Sequence, residues 1–442
     1  MMKCKNKFLL SIILVSICLI FNFYISRHYS HNDLYSDEKL YSWIAHALLK
    51  GDNFYIEGES QIDIGYEVTP FYPALVAFTF IFGGENQMNP IILNIIFNCL
   101  TIILIFHLAI LLTKNYYLSF LIILGFIFYF LLWGYNFHVL MEITTVFFLT
   151  LSLYLYSKYF YTGKYSLLYQ SCVAFSILCL INNRFIVLFS TFLFCHFLIS
   201  LINKANFQKS FIIPVLIAFT LISPWFLRQY LVYDQFVFFT PTWNNVVANK
   251  LGILNRVNVD TDADNIAIPQ PFDYEYYVKD LDERYGQDNQ LRGSDVFTPE
   301  KYAILVREFN YDENIYLNRA KRYFSLYNKD FNFTAPDDFR LKVPSTIPFK
   351  IIQIFILLPM FVFTLIGVLM AFSRKNWLII LFSVLFFAHL FLHVLIHYID
   401  RYRVTVLPIL LLISTYSINE ILMQSKNLFN LKNFNKSRIS QN

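Results

Sequence analysis

The sequence predicts an all-α, polytopic protein that threads a bilayer about ten times. Three observations support this. Hydrophobic residues make up 57% of the 442-residue chain and charged ones only 15%, with a mean hydropathy of +0.49; a soluble domain carries about 25% charged residues. The apolar residues are gathered into long runs separated by short polar connections. Alternate connections carry Lys and Arg, the bias that orients membrane helices.

Lys3, Lys5 and Lys7 precede an apolar run from Phe8 to Ile25. The run imitates a leader peptide but exits into Ser26-Arg27-His28 with no small-x-small cleavage site, so it predicts a retained first helix. Further runs lie at 90–113, 117–134, 138–157, 166–182, 185–202, 210–227, 349–372, 377–397 and 403–423. Each approaches or reaches the roughly 17–25 residues that cross a hydrocarbon core of about 30 Å. The run from Phe71 to Gly84 has only about 14 residues and predicts an interfacial or re-entrant segment.

Loop charge agrees with that division. Lys114; Lys158 and Lys164; Lys204 and Lys209; Arg374 and Lys375; and Lys426, Lys432, Lys436 and Arg438 all fall inside if 71–84 does not cross. The outer face then comprises 26–89, turns at 135–138 and 182–184, the long segment 228–347, and 398–402. The domain reading follows. Residues 1–227 form an N-terminal membrane module whose first outer loop is 26–89, and 228–347 form an extracytoplasmic cap. Residues 348–425 supply the C-terminal helices, and 426–442 a cytoplasmic tail. Aromatic residues persist through 228–347, which suits a small folded cap, with helices expected at 299–309 and 312–328.

Several classes are disfavoured. The 12 glycines are too few for the broken helices of many transporters. The six cysteines avoid the long polar segments, so no disulfide framework is implied, and acylation at Cys4 would add nothing to a chain with many spans. No basic, aromatic-interleaved strip suggests nucleic acid, and no Walker loop, GxGxxG, HExxH or nucleophile elbow occurs. Asn332-Phe333-Thr334 fits a glycosylation acceptor only in a host with that machinery.

Candidate chemistry concentrates on the outer side. Asp33, Asp37 and Glu38 follow the first helix, and Tyr41–Leu49 repeats apolar residues at helical spacing before a stop at Lys50-Gly51. Adjacent carboxylates occupy different faces of a helix, so one can face a substrate while the other is held by a partner. Such a pair can be a general base, a metal ligand, or solvated charge at a helix start. Glu142 sits near the outer start of an apolar helix, where an ionisable group is expensive unless it reaches water. Arg184, Arg228, Arg401 and Arg403 stand at outer helix ends, against the topological bias, which suits them to an anion such as a lipid phosphate or to pairing with carboxylates such as Asp400. His389, His393 and His397 recur every four residues, a spacing for a metal or, with no acid among them, a polar seam between helices.

Four motifs in order carry a resemblance. They are Ser36-Asp37-Glu38-Lys39-Leu40-Tyr41, Thr69-Pro70-Phe71-Tyr72-Pro73, Pro224-Trp225-Phe226-Leu227-Arg228-Gln229-Tyr230, and Arg401-Tyr402-Arg403-Val404-Thr405-Val406-Leu407-Pro408. Together, over about residues 8–423, they resemble the PMT-like, family 39 glycosyltransferases of the GT-C superfamily, relatives of protein O-mannosyltransferases and of the lipid A aminoarabinose transferase. The chain departs from that pattern with Phe71 and Thr405 for prolines and Gln229 for an asparagine.

The resemblance implies a GT-C-like bundle with juxtamembrane helices in the first outer loop. It also implies transfer of a sugar, with inversion, from a polyprenyl-phosphate donor to a lipid, glycan or protein acceptor. The site would face outward from a bacterial plasma membrane. Asp37 would be the general base, Glu38 would orient the substrate or the Asp37 loop, and Glu142 would be a second acid. Arg228, Arg401, Arg403 and Arg184 would hold the donor phosphate, with Tyr41 and Tyr402 contacting substrate. No metal ligand is assigned and no resident cofactor is implied, although a divalent metal at the phosphate is compatible with this chemistry. The competing class is a transporter or flippase of lipid-linked or anionic substrates that uses the same arginines without chemistry, and behind it a structural membrane scaffold.

Overall fold

In the computed structural model the described residues are 2–26, 36–51, 55–56, 62–63, 68–127, 136–233, 347–395 and 400–439. Among them the architecture is all-α apart from two-residue strands, β1 (Tyr55–Ile56) and β2 (Ile62–Asp63), paired antiparallel. The helices in chain order are α1 (Met2–Ser26), α2 (Ser36–Lys50), α3 (Phe71–Gly83), α4 (Met88–Thr113), α5 (Tyr116–Ile127) and α6 (Glu142–Thr162). They continue with α7 (Tyr165–Ile181), α8 (Phe185–Ile202), α9 (Ile213–Tyr233), α10 (Ile347–Ser373), α11 (Trp377–Leu395) and α12 (Asp400–Ile439). A single π-turn, Gln208–Ile212, leads into α9.

Five of these helices are long and apolar enough to cross a membrane among the described residues, and α3, α5, α7, α10 and α11 are shorter apolar helices. The chain is an integral membrane protein. Each of the ten predicted runs overlaps a helix within the described residues, while the shorter α3 has 13 residues, a length of about 20 Å. Several boundaries differ from expectation, among them the end of α9, expected at 227 and found at Tyr233. The run expected from 138 opens instead as a turn, and α6 begins at Glu142. Helix α12, expected to stop near 423, continues to Ile439 because no Gly or Pro follows Pro408 to break it. The expected cap helices at 299–309 and 312–328 lie outside the described residues.

Helix α12 is central: every residue from Val404 to Ser417 is buried, and the helix packs on α4, α6, α10 and α11. Its approach to α10 depends on Gly367, where an added Cβ would stand 2.6 Å from the Ile413 carbonyl oxygen. A small residue lets two backbones come this close. Peripheral α1 and α9 are the least buried candidate spans and present large apolar side chains outward, among them Phe8, Phe23, Phe219 and Leu231. Such surface suits lipid.

Polar contacts sort into two ends. At the end assigned to the cytoplasm, Arg374 pairs with Glu420, Lys114 lies 4.4 Å from the Tyr161 ring, and His196 bridges Tyr156 Oη (3.1 Å) and the Ser210 carbonyl (2.9 Å). A carbonyl only accepts, so His196 Nε2 carries the proton and Nδ1 accepts from Tyr156. The opposite end gathers 36–42, 69–72, 136–142 and 181–184.

Candidate active site

The turn at 136–141 is held from three helices at once. Asn136 Nδ2 donates to Asn22 Oδ1 of α1 at 2.8 Å. Asn94 Nδ2 of α4 donates to the His138 carbonyl at 2.8 Å. From α2, Glu38 Oε1 accepts the Val139 N–H at 2.8 Å and stands 3.0 Å from His138 Nδ1. An ionised carboxylate can only accept, so Nδ1 carries the ring proton in this pair. Glu38 is 2% exposed, and a carboxylate so buried must be compensated by such bonds. Three residues beyond Val139, Glu142 opens α6, buried, in the first turn where the helix dipole favours an anion.

Helix α3 closes this corner. Tyr72 is buried with its ring edge-on to Tyr41, centroids 4.9 Å apart, and His46 of α2 stacks on Phe80 at 5.0 Å. Burial pushes the Tyr72 phenol well above its ordinary range. Asn94 opposes that rise, while the charges of Glu142 and Glu38 add to it. The two carboxylates and Tyr72 therefore share one polar corner between α2, α3, α4 and α6, and Tyr72 stays protonated there.

A second cluster lies at the same end. Thr69, the first residue of the Thr-Pro-Phe-Tyr-Pro motif, donates to the Ile181 carbonyl at the end of α7. The chain then turns through Asn182, whose Oδ1 accepts the Arg184 N–H at 3.2 Å, and Arg184 caps α8 with 8% exposure. Phe185 lies against His389 of α11, ring centroids 6.2 Å apart. His389 Nε2 is 3.1 Å from both His393 Nε2 and Thr405 Oγ1. The histidine repeat thus forms a polar seam between α11 and the start of α12, with His397 outside the described residues. Among the described residues no three His, Cys, Asp or Glu side chains gather as a metal site.

The expected site residues fall as follows. The charges of Glu38 and Glu142 both act on Tyr72, Tyr41 is buried against Tyr72, and the Arg184 charge acts on His389, which contacts Thr405. Glu38 reaches across to the 138–139 turn. Arg228 lies on α9 with its guanidinium 5.3 Å from the Trp225 ring and Nη1 donating to Gln229 Oε1 at 3.4 Å. Asp37, Arg401, Tyr402 and Arg403 occupy α2 and α12, and their side chains lie outside those described. Sequence reasoning did not single out His138, Asn94 or Asn22. Amides inside apolar runs were the available signal, since such a group must find a partner.

No family model matches the chain, and no curated protein matches its sequence. Solved structures do match. An oligosaccharyltransferase from Archaeoglobus fulgidus, tethered with an acceptor peptide, is 12% identical with a TM-score of 0.50, over 94% of this chain and 50% of that one. ArnT from Cupriavidus metallidurans bound to undecaprenyl phosphate is 12% identical with a TM-score of 0.44, over 92% of this chain and 76% of that one. This chain spans half the length of the oligosaccharyltransferase. The likeness is one of architecture: the chain is similar in fold to this oligosaccharyltransferase.

Proposed function

We propose that this protein is an inverting glycosyltransferase. It would move a hexose or pentose from a polyprenyl-phosphate donor to a hydroxyl of a lipid, glycan or protein acceptor on the extracytoplasmic face. The observation that carries the reading is the division of labour in the Asp-Glu pair of α2. Glu38 is committed to Val139 and His138, so of the two adjacent acids Asp37 is the one assigned to chemistry.

In this reading Asp37 accepts the proton of the acceptor hydroxyl as its oxygen attacks the anomeric carbon opposite the phosphate. The bond from that carbon to the phosphate oxygen breaks, and its electron pair leaves with polyprenyl phosphate. Arg228, Arg401, Arg403 and Arg184 stabilise the charge gained by the leaving phosphate. Glu142, held at the head of α6, is the second acid of the site. Tyr41 and Tyr402 flank the substrate. The ordered motifs on this fold support the same reading.

The test is a transfer assay on purified full-length protein in liposomes, with radiolabelled polyprenyl-phosphate sugars and membrane extracts as acceptor. Release of polyprenyl phosphate together with a labelled product supports the reading. Movement of the intact lipid across the bilayer without transfer would establish the transporter instead.

A further inference from the structure

Helices α1 and α4 do not close on each other along their whole length. A groove of about 510 Å³ remains between them, walled by Lys7, Phe8, Ile12, Val15, Ile103 and His107. Phe8 and Ile12 are exposed and belong to the outward face of α1 that suits lipid. Residues 7–16 of α1 meet 103–107 of α4 in this wall, while further along the Cys18 and Cys99 sulfurs approach to 3.4 Å. The helices are therefore antiparallel, and this register sets His107 level with Leu10 and Ile103 level with Leu14. Lys7 and His107 stand at one end of the groove, Val15 and Ile103 at the other.

The groove thus has the profile of an amphiphile, cationic at the membrane surface and apolar within. From Lys7 to Val15 it runs about 12 Å along α1, most of the roughly 15 Å that one leaflet contributes to the hydrocarbon core. Ser11 adds no free donor, since its hydroxyl is spent on the Lys7 carbonyl at 3.1 Å. An apolar cleft of this kind stays dry and gains contacts when a chain fills it. Lys7 has no acidic partner among the described residues, and a basic residue at this depth attracts anionic headgroups. A zwitterionic lipid would bring its own cation beside Lys7. We infer that the groove binds one anionic glycerophospholipid from the leaflet on the Lys7 side, assigned as the inner one. One acyl chain lies along Phe8, Ile12, Val15 and Ile103, and the phosphate meets the Lys7 ammonium. The site stands at the opposite end of the bundle from the sugar-transfer corner and does not depend on the transferase reading.

Photoaffinity labelling of the full-length protein in nanodiscs tests it. The probes are phosphatidylglycerol and phosphatidylcholine that carry the same diazirine in one acyl chain, with labelled peptides mapped by mass spectrometry. Phosphatidylglycerol should concentrate on residues 8–16 and 103–107 and label them more than phosphatidylcholine does. Lys7→Gln removes one charge near a helix end and should cut that labelling about fivefold, to near the phosphatidylcholine level. Ile103→Trp fills the groove and should abolish labelling there by both probes while leaving labelling elsewhere unchanged. Equal labelling of the parent by the two probes, or undiminished labelling in Lys7→Gln, means bulk boundary lipid and overturns the inference. Labelling of Ile103→Trp at the parent's level places the lipid outside the groove and overturns it as well. If Ile103→Trp does not fold, Lys7→Gln decides alone, with its Tm first matched to the parent.

Discussion

The carboxylate of Glu38 lies 3.0 Å from His138 Nδ1 and accepts the Val139 N–H at 2.8 Å, joining α2 to the turn that delivers Glu142. Two residues one hundred positions apart thereby fix one corner of the site. Because each bond is buried, removing the acceptor leaves donors that water cannot reach. Glu38→Ala should cost about 1–3 kcal/mol for each orphaned group. Glu38→Gln retains an amide oxygen for both donors and should cost less. Thermal unfolding of the two variants in one detergent checks this; equal, negligible losses would show that the clamp contributes nothing.

The α10–α12 crossing yields a prediction independent of function. An added Cβ at Gly367 meets the Ile413 carbonyl at 2.6 Å and Ile413 Cγ2 at 2.9 Å, and neither atom is the far end of a flexible chain. Gly367→Val should therefore lower stability by about 1–3 kcal/mol through overpacking. The measurement is again Tm, and a variant as stable as the parent would mean that the helices separate freely.

Topology is tested by labelling. Asn86 follows α3, whereas Gly163 separates α6 from α7 at the end where Lys158 lies. Cysteines placed at 86 and 163 should react with membrane-impermeant reagents from opposite sides, residue 86 from outside. Labelling of residue 86 from the cytoplasm would make α3 a crossing helix and invert the assigned faces.

The phosphate clamp predicts a graded response at Arg403. A guanidinium binds phosphate oxygens in bidentate fashion and an ammonium does not. Each lost charge-assisted bond contributes about 1.5–3 kcal/mol, so Arg403→Ala should raise the donor KM tenfold or more, and Arg403→Lys less. Steady-state kinetics with varied donor decide it, and unchanged constants for Arg403→Ala would remove this residue from the site.

Much of the fold was legible because lipid imposes simple rules. A span needs a long apolar run, and loop lysines record the side on which it ends. The turn at 136–141 was legible only in part: it was expected at 135–138 but runs on to 141, since Val139 and Leu140 read as apolar helix while the His138 carbonyl is spent on Asn94 and the Val139 N–H on Glu38. The acidic pair showed in the sequence, and so did the rule that its members must diverge. Which acid is held became visible only with His138 beside Glu38. The motif departures have local reasons: Gln229 accepts from Arg228, Thr405 bonds His389, and Phe71 packs edge-on against Phe148 at 5.7 Å.

The central claim is that Asp37 accepts the proton of the acceptor hydroxyl. Asp37→Asn keeps the shape of the side chain and its capacity to hydrogen-bond but cannot take that proton. A general base contributes about 10²–10⁴-fold in rate. The decisive measurement is the turnover of Asp37→Asn relative to the parent, taken with the folded yield of both in the same membranes. The account predicts a fall of at least about a hundredfold at normal yield and donor affinity. Full turnover in the variant would contradict it and move the base to Glu142 or to the cap.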